Sequence, residues 1–382
     1  MTYEVKLEHL ARDGSVKQRV VTDYQSVSYR RVVNLPGSMQ IKFNSGGRTL
    51  GLLEDYDIFV VHWKNDRLGV PWHSDFEAVY RRISSHTNDD GIQDNLISGE
   101  GAMAILKWRQ VAFPAGIVNR TTFAAVPAET LAKSLVFYNC TPAATVTNGR
   151  LREGDLSTGM GFAINVVADG GLGNPVSHSF HKRSVYGGVV EVTAPIAGGD
   201  FSMVRTGTNQ YDFDFHAGQL GDDKRTGDDE VEFSLNKGNM RNPRMIIDRT
   251  TEMTAAIAAG QGRGDVRNYQ IVLSSVWAAD NDIEMSVDAS SQPTSDGVIA
   301  SGDIALYKRR LARDMTFDVI QTESVFYSPV PVVGKKTYDL GDLVVGRHFD
   351  LDWDRKVNAI NVYIVAPTRG DVFSVDVEMT DI

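Results

Sequence analysis

The chain has 382 residues, 42% of them hydrophobic and 23% charged, the balance of an ordinary globular protein long enough for two or three domains. Its net charge of −10 argues against a dedicated nucleic-acid binder, which needs a basic face to release phosphate counterions, and the densest basic run, Tyr307–Arg313, is only locally positive. Cys140 is the single cysteine, so no internal disulfide forms, a usage that fits assembly in a reducing cytoplasm.

From the start the pattern is one of strands. The opening "MTYEVKLEHLARDG" has no apolar core of signal-peptide length, and no apolar run approaches the roughly 20 residues that span a bilayer, so a soluble, non-secreted protein is expected. Tyr3, Val5 and Leu7 share a face, Asp13-Gly14 supplies a hairpin-turn signal, and Val16 to Val21 returns. Val27, Tyr29, Arg31 and Val33 alternate, Leu35-Pro36-Gly37 is expected to turn the chain, and Met39, Ile41 and Phe43 alternate again. Ile58 to Trp63 and Ala102 to Phe113 read as further strands, the second ended by Pro114–Gly116. An open meander leaves edges exposed, so a β-barrel-like domain is expected over residues 1–118.

The pattern then changes. In "PAETLAKSLVFYN", Pro127 suits a first helical turn, Glu129 favours the helix dipole, and Leu131, Leu135 and Tyr138 recur at helical spacing. Val185, Val189, Val192 and Ile196 also fall at helical intervals, although Gly187, Gly188 and the β-branched residues speak against a helix there. Phe201–Phe215 reads as a hairpin with a glycine-containing turn. Residues 119–216 are expected to form a small α+β domain.

Residues 217–382 return to strands, with one short helix. Val231, Phe233 and Leu235 alternate, as do Tyr269, Ile271 and Leu273, and Met315, Phe317 and Val319. Asp303 is a candidate cap for a helix carrying Ile304, Tyr307 and Leu311, and Asp288–Gly297 is expected to be a surface loop. The last strands, near Val357–Ala366 and Asp371–Met379, flank "PTRG".

Several groupings could carry chemistry. Asp339, Asp342, Asp350, Asp352 and Asp354 fall within sixteen residues. The last three open like a calcium loop, but Arg355 stands where glycine is needed and Asn361 replaces the bidentate glutamate. Asp339 and Asp342 bracket Gly341, which is turn chemistry, so structural turns are favoured over a metal site. His178 and His181, with Asp212, Asp214 and His216 downstream, could share a metal but lack helical character, and surface positions are the simpler reading. Gly260, Gly262 and Gly264 do not make a dinucleotide fingerprint and no βαβ unit surrounds them, so they too read as a structural turn. Arg263-Gly264-Asp265 and Arg369-Gly370-Asp371 both fall where turns are expected. Cys140 reads as a small buried side chain and not as a nucleophile. No catalytic residue, metal or cofactor is assigned, although carboxylate pairs for glycoside hydrolysis depend on the fold and not on spacing.

The order of segments carries a resemblance over nearly the whole chain. "YEVKLEH…DGSV", "DYQSVSYRRVVNLPGSMQIKF", "WRQVAFPAG" and "PAETLAKSLVFYN" are followed by "GGDFSMV…FDFHAGQLGDDKRT", "VEFSLNKGNM", "AAGQGRGDVR" and "MTFDVIQT…YDLGDLVV…VNAINVYI". In this order the chain resembles the siphovirus minor tail proteins that are similar to the central baseplate hub of tailed phages. Asp66–Gly101 and Asp288–Gly302 have no evident counterpart. The resemblance implies a mainly β fold with an α+β insert, as two tail-tube-like β-barrel domains flanking a smaller mixed domain. It implies a homotrimer at the virion's tail tip, assembled in the bacterial cytoplasm and joining a six-fold tube to a three-fold tip. A tail-tube or distal tail protein would lie on one side and a spike or fibre protein on the other, with DNA passing through the lumen without specific binding. No catalytic residue comes with it. The alternatives are a tail-associated cell-wall hydrolase and a host-surface or carbohydrate-binding module, the latter needing exposed aromatic platforms around Trp63 and Trp72.

Overall fold

The computed structural model describes residues 3–43, 47–87, 93–112, 121–180, 183–193, 198–348, 351–365 and 373–381. The chain is mainly β. Its centre is one long ladder that runs from Glu232–Ser234 through Leu343–His348, Leu351–Val365, Tyr24–Val32 and Leu35–Phe43 to Gln93–Glu100. From there it continues through Val70–Thr87, Ile58–Asn65 and Glu4–Leu10 to Val16–Val21, while Phe373–Asp381 pairs with Leu351–Val365. Both ends of the chain therefore share one sheet. The join is antiparallel, with Val27 opposite Ile364, Tyr29 opposite Val362 and Arg31 opposite Ile360, so the inward residues of the two ends form common rows. Among the described strands the ladder is open, with Glu232–Ser234 and Val16–Val21 at its edges.

The sheet has a core on one side along most of its length and a second core on the other side around Ile58–Asn65. One side builds a core around Tyr29, Phe43, Trp63, Phe233, Tyr338 and Ile360. On the other, Leu10, Ile58, Val60 and Val79 pack against the middle of the chain. This explains the unbroken apolar run Ile58–Val61: a strand buried on both faces has no polar face to alternate with. Full burial of a large apolar side chain contributes about 1.5–3 kcal/mol, so these rows hold the two chain ends together.

The middle unit contains helices Ala128–Cys140 and Val185–Val192 and the sheet formed by Ala163–Val166, Gly199–Gly207 and Gln210–Ala217. The glycines that weaken the second helix on propensity are explained by its packing. A Cβ on Gly188 would lie 3.1 Å from Leu135 Cδ1 and 3.3 Å from the Phe180 ring, so this residue admits a close helix approach. Ser184 caps the helix by accepting from the Gly187 amide at 3.1 Å. Ile196 lies outside the described residues.

A lateral module, residues 255–308, is set on a two-stranded ribbon made of Met240–Asp248 and Ala312–Val319. Strands Ala255–Ala259, Tyr269–Leu273 and Glu284–Asp288 form its sheet, and helix Ser295–Lys308 covers one side.

Three expectations differ from the structure, and three others fall outside the described residues. The segment Ala102–Trp108 is a 3-10 helix and not a strand; its contiguous apolar residues wedge Ala104, Ile105 and Leu106 into the core. The turn near residue 35 lies at Val33-Asn34, where Asn34 takes the left-handed conformation at φ 59°, and Leu35-Pro36-Gly37 already belongs to the next strand. Asp303 does not cap a helix. Thr294 does, accepting from the Gly297 amide at 3.2 Å, so the helix takes up the end of the predicted loop. Gly297 and Gly302 hide this helix from a propensity reading, yet a Cβ on Gly302 would lie 2.6 Å from Val272, so close seating on the sheet requires it. Lastly, Pro114–Gly116, "PTRG" and the second RGD tripeptide lie outside the described residues.

Candidate functional site: a charged junction under an acidic turn

Strand Tyr24–Val32 alternates into the core, and that alternation places Arg31 inward with Val27 and Tyr29. A cation in this position requires partners. Asp75, on Val70–Thr87, provides one carboxylate, 3.0 Å from Arg31 Nη1. The same carboxylate accepts from Trp63 Nε1 at 2.8 Å, from the Tyr327 hydroxyl at 2.5 Å and from the Tyr29 hydroxyl. Arg31 then reaches Asp339, donating from Nη1 at 2.8 Å and from Nη2 at 3.3 Å. Burial works against the Arg31 charge, but Asp339, Tyr327 and Asp75 outweigh it and raise its pKa. Burial also drives the Tyr29 and Tyr327 hydroxyls well above their ordinary value, so they remain donors.

Asp339 opens the acidic turn. Gly341 has φ 90°, and a Cβ there would lie 2.7 Å from the Gly221 amide nitrogen, so the position suits glycine for both conformation and space. Asp342 is buried and accepts from the Asp339 amide, the Asp222 amide and Lys224 Nζ at 2.8, 2.8 and 2.7 Å. The turn thus fastens the segment leaving the middle unit to the main sheet, and through Arg31 it reaches the strand ladder that joins the chain ends.

Beside this network runs a cleft of about 550 Å³, lined by both the main sheet and the middle unit. Glu77 lies in its wall, and burial raises its carboxyl to about 7, with Arg205 opposing the shift from 3.7 Å. Ser202 Oγ and His216 Nε2 stand 2.8 Å apart on another wall. Most other ionic groups of the cleft are held in internal pairs: Arg31 with Asp75 and Asp339, and Lys224 with Asp342. The arrangement is a fastening between two units of the fold, with the Glu77 carboxyl raised by burial in its wall.

The remaining sequence candidates are dispersed. His178 pairs with Glu191 at 3.1 Å, Asp214 with Lys133 at 2.9 Å, and Asp212 with Asn165, while His181 lies outside the described residues. Asp352 and Asp354 pair with Arg347 at 3.0 Å and Arg225 at 2.6 Å, and Asp350 lies outside the described residues. Among the described residues, no three His, Cys, Asp or Glu side chains gather to hold a metal. Gly260, Gly262 and Gly264 lie in the connection between two strands of the lateral module; Gly262 and Gly264 have φ 126° and 56°. A Cβ on Gly260 would lie 2.4 Å from Val298, so this glycine permits close packing. Burial pushes the Cys140 thiol up to about 12, which leaves it inert. Trp63 is core; Trp72 is exposed, with Lys64 Nζ 5.8 Å from its ring centre. Sequence reasoning missed the Arg31–Asp75–Tyr327 network. Its one legible signal was a charged residue in the inward phase of an alternating strand.

A family profile described as Siphovirus ReqiPepy6 Gp37-like protein matches residues 12–363. Among solved structures, the fold is similar to the tail protein from Neisseria meningitidis MC58, at 10% identity and a TM-score of 0.55, covering 100% of this chain and 97% of that one. It is also similar to the prophage MuSo2 43 kDa tail protein from Shewanella oneidensis, at 11% identity and 0.55, covering 99% and 98%. Prophage tail protein gp18 from Listeria monocytogenes EGD-e is a third, at 10% identity and 0.54, covering 99% and 94%. No curated protein matches the chain.

Proposed function

Because the chain belongs to the Siphovirus ReqiPepy6 Gp37-like family of phage tail proteins, we propose that this virion protein is the tail-tip or baseplate hub. In this reading three copies form a ring that joins the six-fold tail tube to a three-fold tip. Residues 1–118 and 217–382 supply two tail-tube-like β units per copy, hence six per ring, with 119–216 as the insert between them. The observation that carries the reading is the tail-protein family match over residues 12–363, and the ladder across Tyr24–Val32 and Leu351–Val365 joins the two β units edge to edge within one copy. A tube or distal tail protein then lies on one side and a spike or fibre protein on the other.

DNA passes through the lumen of this ring without specific binding. The net charge of −10 supports that role, since an acidic or neutral wall disfavours phosphate contacts. A lumen lined by Lys and Arg would contradict it. Light scattering on the purified protein, together with low-resolution electron images, tests the whole reading. A three-fold ring of three chain masses is the expected result, and a compact monomer overturns it.

The protein acts as a structural component and not as an enzyme. Glu77 is the observation that favours the hydrolase alternative, since it supplies a carboxyl near neutral pKa in a cleft. Release of sugars or peptides from purified cell wall, lost in Glu77→Gln, would establish that alternative.

A further inference from the structure

The sheet of the middle unit ends at the cleft. Its strand order places Gly199–Gly207 at the edge, with Gln210–Ala217 as its one neighbour, and the register runs without a shift from Gly199 to Arg205. In an antiparallel ladder, alternate residues turn their amide and carbonyl toward the partner strand, and the others turn theirs away. Gly198 O accepts from the Gly218 amide at 2.8 Å, so the even-numbered residues here face the partner. The Phe201 amide points the other way and donates to Asn34 Oδ1 at 2.8 Å. The same alternation turns the Phe201 carbonyl and both backbone groups of Met203 outward. Among the described residues, these three outward groups have no hydrogen-bond partner.

The open edge is recessed. Phe201 and Met203 are buried, and the cleft's other walls include residues 74–77 of the main sheet and the loop bearing Pro329 and Pro331. The flat edge of another sheet does not fit between these walls, whereas a single extended segment does. Backbone polar groups shielded in this way require partners. A row of carbonyl, amide and carbonyl at strand spacing is matched by the main chain of an extended peptide, which presents the complementary row. The lining sets the character of that segment. Leu35, Phe76, Met103 and Val204 give the cleft apolar surface, while its cations Arg31 and Lys224 are already held by Asp75, Asp339 and Asp342. Its volume of about 550 Å³ lies within the range of ligand clefts, roughly 300–1,000 Å³.

We propose that this recessed edge binds an extended, mainly apolar segment of another polypeptide, which adds a strand beside Gly199–Gly207. The Met203 amide and carbonyl pair with one residue of the incoming segment, and the Phe201 carbonyl accepts from the main chain further along it. Main-chain bonds hold the segment, and the apolar lining selects its side chains. The site is complete within one copy, so it does not depend on the ring.

The test uses the full-length protein and a set of end-blocked, fluorescently labelled heptapeptides in which valine, leucine or phenylalanine alternates with threonine or lysine. Saturable binding by anisotropy is expected, with hydrogen exchange slowed by roughly tenfold at the segment containing Met203. N-methylating the peptide amide that meets the Met203 carbonyl should weaken binding by roughly tenfold, the loss of one backbone hydrogen bond. Met203→Pro removes an outward amide that the ladder does not use, a position where an edge strand accepts proline, and should weaken binding as much. If that variant fails to fold, the N-methylated peptides on the wild-type protein still decide. Failure of the whole set to bind, or binding that ignores N-methylation and leaves Met203 exchange unchanged, overturns the proposal. Protection of Met203 that appears only on self-association in sedimentation gives the edge to a second copy and also overturns it. Protection by cell-wall oligosaccharides and not by peptides overturns it in favour of a sugar site. The number of chains in the assembly bears on the hub reading alone.

Discussion

Around Trp63 the main sheet packs Tyr3, His73 and Phe373 rings and closes a buried ionic network. Beneath helix Ser295–Lys308 the lateral module packs alanine, valine and glycine, with Gly302 nearly touching Val272. The main sheet is covered on both faces around Ile58–Asn65 and on one face around Tyr24–Val32, and it fixes its interior by shape and by hydrogen bonding. The module is covered on one face, and its core is thin enough that backbone proximity takes the place of side-chain bulk. One region has a deep core of large side chains, while the other has a thin core and leaves one apolar face exposed.

The strongest way to break this contrast is at Asp75. Replacing it with Ala leaves Arg31 only its Asp339 carboxylate and strands the Tyr29, Tyr327 and Trp63 donors in the core. A loss of about 3–5 kcal/mol in denaturant unfolding is expected, because three buried donors lose their acceptor and Arg31 loses one of its two carboxylates. A loss under about 1 kcal/mol would mean the network is a consequence of packing and not a determinant of it.

The pH dependence gives a second, smaller test. Burial raises Glu77 from 4.5 to about 7, so the folded state holds a proton that the unfolded state has released. Stability therefore falls as pH rises from about 4.5 to about 7 and stays lower above that. Glu77→Gln should remove about 2–3 kcal/mol of this fall, read as a flattened profile of melting temperature against pH. Burial also raises the Asp303 carboxyl in the module's helix, but that group is less deeply enclosed, and Asp303→Asn should flatten the profile much less.

Gly302→Val sharpens the contrast from the other side. Its Cβ collides with Val272, so about 1–3 kcal/mol of overpacking should fall on the lateral module alone. Hydrogen exchange should quicken in Tyr269–Leu273 and leave Ile58–Asn65 unchanged; equal quickening in both would show that the module and the main sheet unfold as one. Smallest of all, Asp354→Asn removes an exposed pair with Arg225 and should shift stability by no more than about 0.5 kcal/mol. Calcium or a chelator should likewise leave the melting curve in place.

The chain's own residues determined a good deal. Alternation in "VSYRRVV" and "SMQIKF" marked real strands, because a strand with one inward face writes its period into the sequence. "PAETLAKSLVFYN" marked a real helix for the same kind of local reason. What the segment Asp339–Asp342 holds was not legible, since Arg31 lies 308 residues from Asp339 along the chain. The tertiary structure alone decided that the two ends share a ladder, that Gly188 and Gly302 belong to packed helices, and that Asp75 gathers four donors. Each of these depends on which distant surfaces meet. Periodicity and propensity report how a residue treats its near neighbours, whereas strand partners, close approaches and buried ion pairs are settled only when remote segments compete for the same space.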